Sequence, residues 1–120
     1  DSEQVAQRLA MVAALTEWVK GYCGPLETTK KLAAKEAPSL PYELLYRATA
    51  IAQRQQFLPQ SANRGVFQAL IDELAGNWST KALSRLADEC GKARSLSGAS
   101  NNLNGELLLE HFLMIQKDTA

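Results

Sequence analysis

Histidine occurs once in the 120 residues, at His111, and cysteine twice, at Cys23 and Cys90. A single imidazole excludes multi-histidine metal sites and a histidine-based acid–base pair within one chain. The cysteines stand far apart without metal-type spacing, so they read as two buried thiols of a reducing compartment rather than a disulfide. Neither sign of charge dominates: Lys plus Arg is 13, Asp plus Glu is 13, and the formal net charge is zero. A stand-alone binder of duplex nucleic acid carries a clustered basic surplus, because phosphate contacts supply most of its non-specific affinity. Membrane-surface binding is disfavoured on the same ground. No apolar run approaches the roughly 20 residues that a bilayer requires, and no leader or lipidation motif is visible. A Gly-rich phosphate loop, a nucleophile elbow and a His-Glu-x-x-His pair are missing as well. Val, Ile and Thr are sparse, and nowhere do apolar and polar residues alternate as a strand requires. The expectation is an all-α, cytoplasmic, non-catalytic domain with no cofactor and no metal.

What is present is Leu and Ala at helical spacing. The run Asn104–Ile115 is the most apolar: Leu107, Leu108, Leu109, Phe112, Leu113, Met114 and Ile115 cover about 260° of a helix circumference. A surface helix needs a stripe of only about 100°, so this one is expected at the centre of the bundle. Asn104 is placed to cap it, and Glu106 falls in its first turn, where the helix dipole favours an acid.

Upstream, a first helix is predicted from about Ser2 to Gly21, with one stripe at Val5, Leu9, Val12 and Val19 and another at Met11, Leu15, Trp18 and Tyr22. Gly21 and Gly24-Pro25 end it. A short polar helix from about Leu26 to Glu36 should lie on the outside. A third helix, about Pro41 to Phe57, presents Leu44, Ala48, Ile51, Ala52 and Gln55. A fourth, about Arg64 to Ala75, places Phe67, Leu70, Ile71 and Leu74 at core spacing, and Gly76 can close it. Ser79 or Asn77 caps a fifth helix that carries Leu83, Leu86, Ala87, Cys90, Ala93 and Leu96 inward. Gly91 weakens that helix by about 1 kcal/mol relative to Ala, so a bend or a close contact is expected there. No repeat and no long linker divides the chain, and one compact bundle of five to six helices over residues 1–120 follows.

Few residues point to chemistry. His111 sits inside the apolar arc, where a proton-transfer or pH-sensing role competes with a buried or interfacial imidazole, and the second reading is preferred. The pairs Asp72-Glu73 and Asp88-Glu89, and Glu106 with Glu110, read as solvated acidic edges, since no Glu-x-x-His spacing accompanies them. Arg47 and Arg54 share a face seven residues apart, and Lys81, Arg85, Lys92 and Arg94 dot the fifth helix. They are candidates for meeting nucleic acid or acidic groups of a partner, against the plain alternative of solvated helix faces. Trp18 and Trp78 are residue types favoured at interfaces and equally at home in a core. Asn77-Trp78-Ser79 fits a glycosylation acceptor only formally. The candidate interface set is Arg47, Arg54, Trp78, Arg85 and His111.

The last third of the chain is similar to a known family. Leu83-x-x-Leu86, Cys90, Leu96, a Ser/Gly/Asn loop and Leu103-Asn104-x-Glu106-Leu107-Leu108-Leu109-x-x-Phe112-Leu113 resemble the C-terminal helices of the clamp-loader subunits of bacterial DNA polymerase III. Within that family the delta-prime subunit is nearest and gamma/tau second. The resemblance implies that these helices form an oligomerisation collar in DNA replication, one such domain from each of five subunits packing into a ring. The partners would be the gamma/tau and delta subunits, with DNA engaged only indirectly and no membrane. Leu83, Leu86, Asn104, Glu106, Leu107, Leu108, Leu109 and Leu113 carry the family pattern; Gly91 and Gly105 depart from it. The family's ATP-binding motifs, arginine finger and zinc module belong to N-terminal domains, so no ATPase residue is carried over. The chain is then expected to be a C-terminal fragment of a longer protein. The competing readings are a helical adaptor unrelated to replication and a small enzyme or nucleic-acid module built on Arg47, Arg54 and Arg85.

Overall fold

In a computed structural model, residues 2–32, 38–57, 65–99 and 105–118 are described, with residues 97–99, 105–106 and 117–118 described by their backbone alone. They form six α-helices: α1 (Ser2–Lys20), α2 (Pro25–Leu32), α3 (Leu40–Phe57), α4 (Val66–Asn77), α5 (Thr80–Ala99) and α6 (Gly105–Asp118). No strand occurs among the described residues, and no helix among them is long and apolar enough to cross a membrane. The Cα radius of gyration is 13.6 Å, against about 14 Å for a single compact domain of this length.

The stops and starts follow from local chemistry. Gly21 adopts a left-handed φ of 87°; its N–H donates to the Trp18 carbonyl at 3.1 Å, and that of Tyr22 donates to the Glu17 carbonyl at 2.9 Å. These two bonds make a Schellman closure, which satisfies carbonyls that the end of α1 would otherwise leave open. Pro25 opens α2, where its missing N–H costs nothing. Ser79 caps α5, its Oγ accepting from the Ala82 N–H at 3.0 Å. Gly76 does not close α4, which runs on to Asn77 and is capped by the extended Trp78, whose N–H donates to the Leu74 carbonyl. Nor does Gly91 interrupt α5: the helix continues through it, and an added Cβ there would meet nothing within 4 Å.

The hub of the bundle is α3. It packs most extensively against α5 and α4 and touches α1, while α1 also packs on α4 and α2. Ala48, Ala52 and Thr49 on α3 are fully buried, and their small size is what lets neighbouring helices close in. Thr49 and Thr16 return their hydroxyls to the carbonyls of Leu45 and Val12, so neither carries an open polar group into the core. Around this hub lie Met11, Leu15, Trp18, Leu32, Tyr42, Leu45, Leu70, Ile71, Leu74, Leu83, Leu86 and Cys90.

The helix expected at the centre is peripheral. α6 rests on α2 and α5 and, of its described side chains, buries only Leu109, Phe112, Leu113 and Gln116, while Leu107, Met114 and Ile115 are exposed. A wide apolar arc therefore marks two separate faces here, not full enclosure. Other inward assignments fail at the edges: Val5, Leu9, Tyr22, Ile51 and Leu96 are exposed. Residues 2–10 of α1 are exposed throughout, because that helix outruns the neighbours that bury its second half. Periodicity identifies the side of a helix that packs but not where the packing stops.

Two thiols with different surroundings replace the expected buried pair. Cys90 is buried, whereas Cys23 is half-buried in the α1–α2 connection and accepts a hydrogen bond from Lys31 Nζ at 3.4 Å. Both are free.

Candidate functional site

The exposed apolar side of α6 is built by helical spacing. Leu109, Phe112, Leu113 and Gln116 fall on one side and bind the helix to the bundle, with Phe112 seated edge-on against the Tyr42 ring of α3 at 5.2 Å between centroids. Leu107, His111 and Met114, spaced four and three residues apart, fall on the opposite side. Leu107 is 58% exposed and Met114 47%, and His111 is exposed between them. This is a strip about two turns long, apolar at both ends with an imidazole in the middle. Covering the Leu and Met side chains would gain about 1.5–3 kcal/mol each before the costs of association. Of the buried or interfacial imidazole preferred from sequence, the buried form is excluded: His111 belongs to the outward strip.

The remaining residues singled out from sequence separate into three groups. Leu83, Leu86, Leu109 and Leu113 are core, and Leu108 is half-buried. Trp78 leaves the interface set: it is 4% exposed, and its ring lies 6.0 Å from that of Trp18 at an interplanar angle of 54°, joining the α4–α5 corner to α1. With Trp78 buried and the Ser79 hydroxyl held by the α5 cap, the Asn77-Trp78-Ser79 triplet is a structural corner. Arg47, Arg54 and Arg85 are exposed. Asn104 lies outside the described residues, as does the side chain of Glu106.

The acidic pairs are partly structural. Asp72 Oδ1 accepts from Gln55 Nε2 and from Gln68 Nε2, both at 2.8 Å, tying α4 to α3. Glu73 holds the Asn77 side chain at 2.7 Å. No cluster of three or more metal-ligating side chains exists among the described residues.

Sequence reasoning missed Gln56 altogether. Its Nε2 donates to the Trp78 carbonyl at 2.7 Å and to the Ala75 carbonyl at 3.2 Å, and its Oε1 accepts from Thr80 Oγ1 at 2.8 Å. One side chain at the end of α3 thereby fastens the end of α4 and the start of α5. No local pattern distinguishes it from a solvated helix-end glutamine.

Two buried groups are shifted. Burial pushes the Cys90 thiol from 9.0 to about 12, with the Glu89 charge adding to the effect. Burial first, and then the neighbouring Cys90, push the Tyr42 phenol from 10.0 to about 12. Both stay protonated at neutral pH, which makes Cys90 a packing thiol and not a nucleophile.

No protein-family model matches the chain, and no curated protein or solved structure matches it at a significant level.

Proposed function

We propose that this chain is the oligomerisation collar of a clamp-loader subunit of bacterial DNA polymerase III, most nearly delta-prime. The observation that carries the reading is α6: the helix bearing the family-like run Glu106–Leu113 holds to its own bundle by one face and offers Leu107, His111 and Met114 on the other. A domain whose product is an assembly needs such a second face. The fold class agrees with the reading, and so does a neutral net charge, which suits helix-to-helix packing better than phosphate binding. In this reading the domain works in the cytoplasm, hydrolyses nothing itself and meets DNA only through the complex. It contacts gamma/tau and delta head-to-tail, using different surfaces for different neighbours, with each interface burying about 1,200–2,000 Å² or more.

Size-exclusion chromatography of the chain mixed with gamma/tau and delta tests it. Co-elution is expected, and L107D/M114D should abolish it while the circular dichroism spectrum stays helical. Absence of co-elution for the unaltered chain overturns the proposal.

A further inference from the structure

A second outward face lies on α3, away from α6. Arg47, Ala50, Ile51 and Arg54 stand at positions i, i+3, i+4 and i+7 of that helix. Four residues at this spacing form the rim of a hole that accepts one side chain from a facing helix. Ala50 keeps the middle shallow-walled, and Ile51, 36% exposed, supplies an apolar wall. The two arginines stand at the ends, about 10 Å apart along the axis. Both are exposed and neither has an ion-pair partner among the described residues, although Glu43 sits one turn before Arg47. Tyr46 and Phe57 flank the row on one side, Phe57 with 70% of its surface exposed. Arg, Tyr and Phe are the types that concentrate at protein interfaces. The opposite side of α3 is the hub of the bundle, so the face is rigidly mounted.

We infer that this face of α3 docks an acidic amphipathic helix of a partner protein. A leucine or similar residue of that helix enters the hole between Ala50 and Ile51, and carboxylates one half-heptad to either side of it pair with Arg47 and Arg54. Guanidinium groups favour carboxylates because both are planar and can bond bidentately. The seven-residue spacing of the arginines matches a seven-residue spacing of acids on the facing helix. A nucleic-acid strand fits less well: the hole offers an apolar wall, and Tyr46 and Phe57 lie eleven residues apart, about 16 Å along α3, too far to stack neighbouring bases. The inference stands apart from the clamp-loader reading, since it requires a partner of this chemistry and no particular assembly.

The test is a titration of the isotope-labelled chain, followed by amide NMR, with a synthetic helical peptide. The peptide carries one leucine flanked by glutamates seven residues apart; a lysine version of the peptide and single-stranded oligothymidylate serve as comparisons. Shifts are expected at Arg47, Ala50, Ile51 and Arg54 with the glutamate peptide alone. R47E/R54E should weaken that binding at least tenfold, and A50L, which plugs the hole without altering charge, should do the same, both with unchanged thermal melts. No response at these residues, equal binding of the lysine peptide, or oligothymidylate displacing the glutamate peptide would overturn the inference.

Discussion

Tyr42 of α3 meets Phe112 of α6 edge-on, ring centroids 5.2 Å apart and planes at 86°, and its buried hydroxyl has no hydrogen-bond partner among the described residues. The ring is what joins the peripheral helix to the hub, since edge-to-face aromatic pairs contribute about 0.5–1.5 kcal/mol beyond their buried area. The hydroxyl opposes it, because a buried polar group with no partner costs about 1–3 kcal/mol.

Tyr42→Phe separates the two effects. It keeps the ring and removes the open oxygen, so urea unfolding should show unchanged or increased stability, by up to about 1 kcal/mol. Tyr42→Ala removes both and should cost about 3–5 kcal/mol. A Phe variant destabilised by more than 1 kcal/mol would mean that the oxygen is bonded.

The glycines predict opposite signs for one substitution. Gly21 holds φ at 87° in the Schellman closure of α1, and an L side chain in that conformation costs about 1–2 kcal/mol. Gly91 lies within α5 with open space around the position of a Cβ, and Ala there should add about 0.5–1 kcal/mol by removing chain entropy from the unfolded state. Thermal denaturation of Gly21→Ala and Gly91→Ala should therefore move Tm in opposite directions. If Gly91→Ala lowers Tm, α5 is not the regular helix described.

The two glycines also show what the sequence made legible. Helix class, the stop at Gly21, the cap at Ser79 and the core positions Leu70, Ile71, Leu74, Leu83 and Leu86 all follow from short-range chemistry, which acts over a turn or two. The rank of the helices does not. α6 has the widest apolar arc and ends at the edge, whereas α3, with Ala48 and Ala52 where larger residues would announce a core, ends at the centre. An arc records total apolar demand, including any demand met by a partner, so it cannot separate a buried helix from one with two faces. Trp78 fails for a related reason, since cores and interfaces draw on the same aromatic residues. Of the candidate interface set, His111, Arg47, Arg54 and Arg85 do stand at the surface, but their division between α6, α3 and α5 depends on how the helices stack.

Gln56 is the clearest long-range device. Replacing it with Leu keeps most of the volume and removes three hydrogen bonds at the α4–α5 corner. The Trp78 and Ala75 carbonyls lose a donor in a partly buried place, a cost of about 1–3 kcal/mol. Gln56→Glu should be worse, because a carboxylate would face those two carbonyls with no hydrogen to donate. Amide hydrogen exchange provides the sharper readout: protection in the last turn of α4 and the first turn of α5 should fall in both variants, while that of α1 holds. Uniform loss across all helices would refute a local clasp.

Alkaline pH should weaken the fold in a defined window. Cys90 titrates near 9.0 and Tyr42 near 10.0 in an unfolded chain, and burial raises both to about 12 in the folded one. Below pH 9 both groups are protonated in either state and stability is level with respect to them. Above it the unfolded chain releases protons that the folded chain retains, so stability is lost progressively as pH rises from 9 toward 12. Cys90→Ala should flatten the first part of that fall in the urea midpoint, and Tyr42→Phe the later part, each measured against its own value at neutral pH. The same burial makes Cys90 slow toward a thiol reagent such as DTNB until the chain unfolds, while half-buried Cys23 reacts in the native state. Rapid native labelling of both thiols, or a midpoint that is flat between pH 9 and 11 in the unaltered chain, would show that the α3–α5 junction around Tyr42 and Cys90 is open to water.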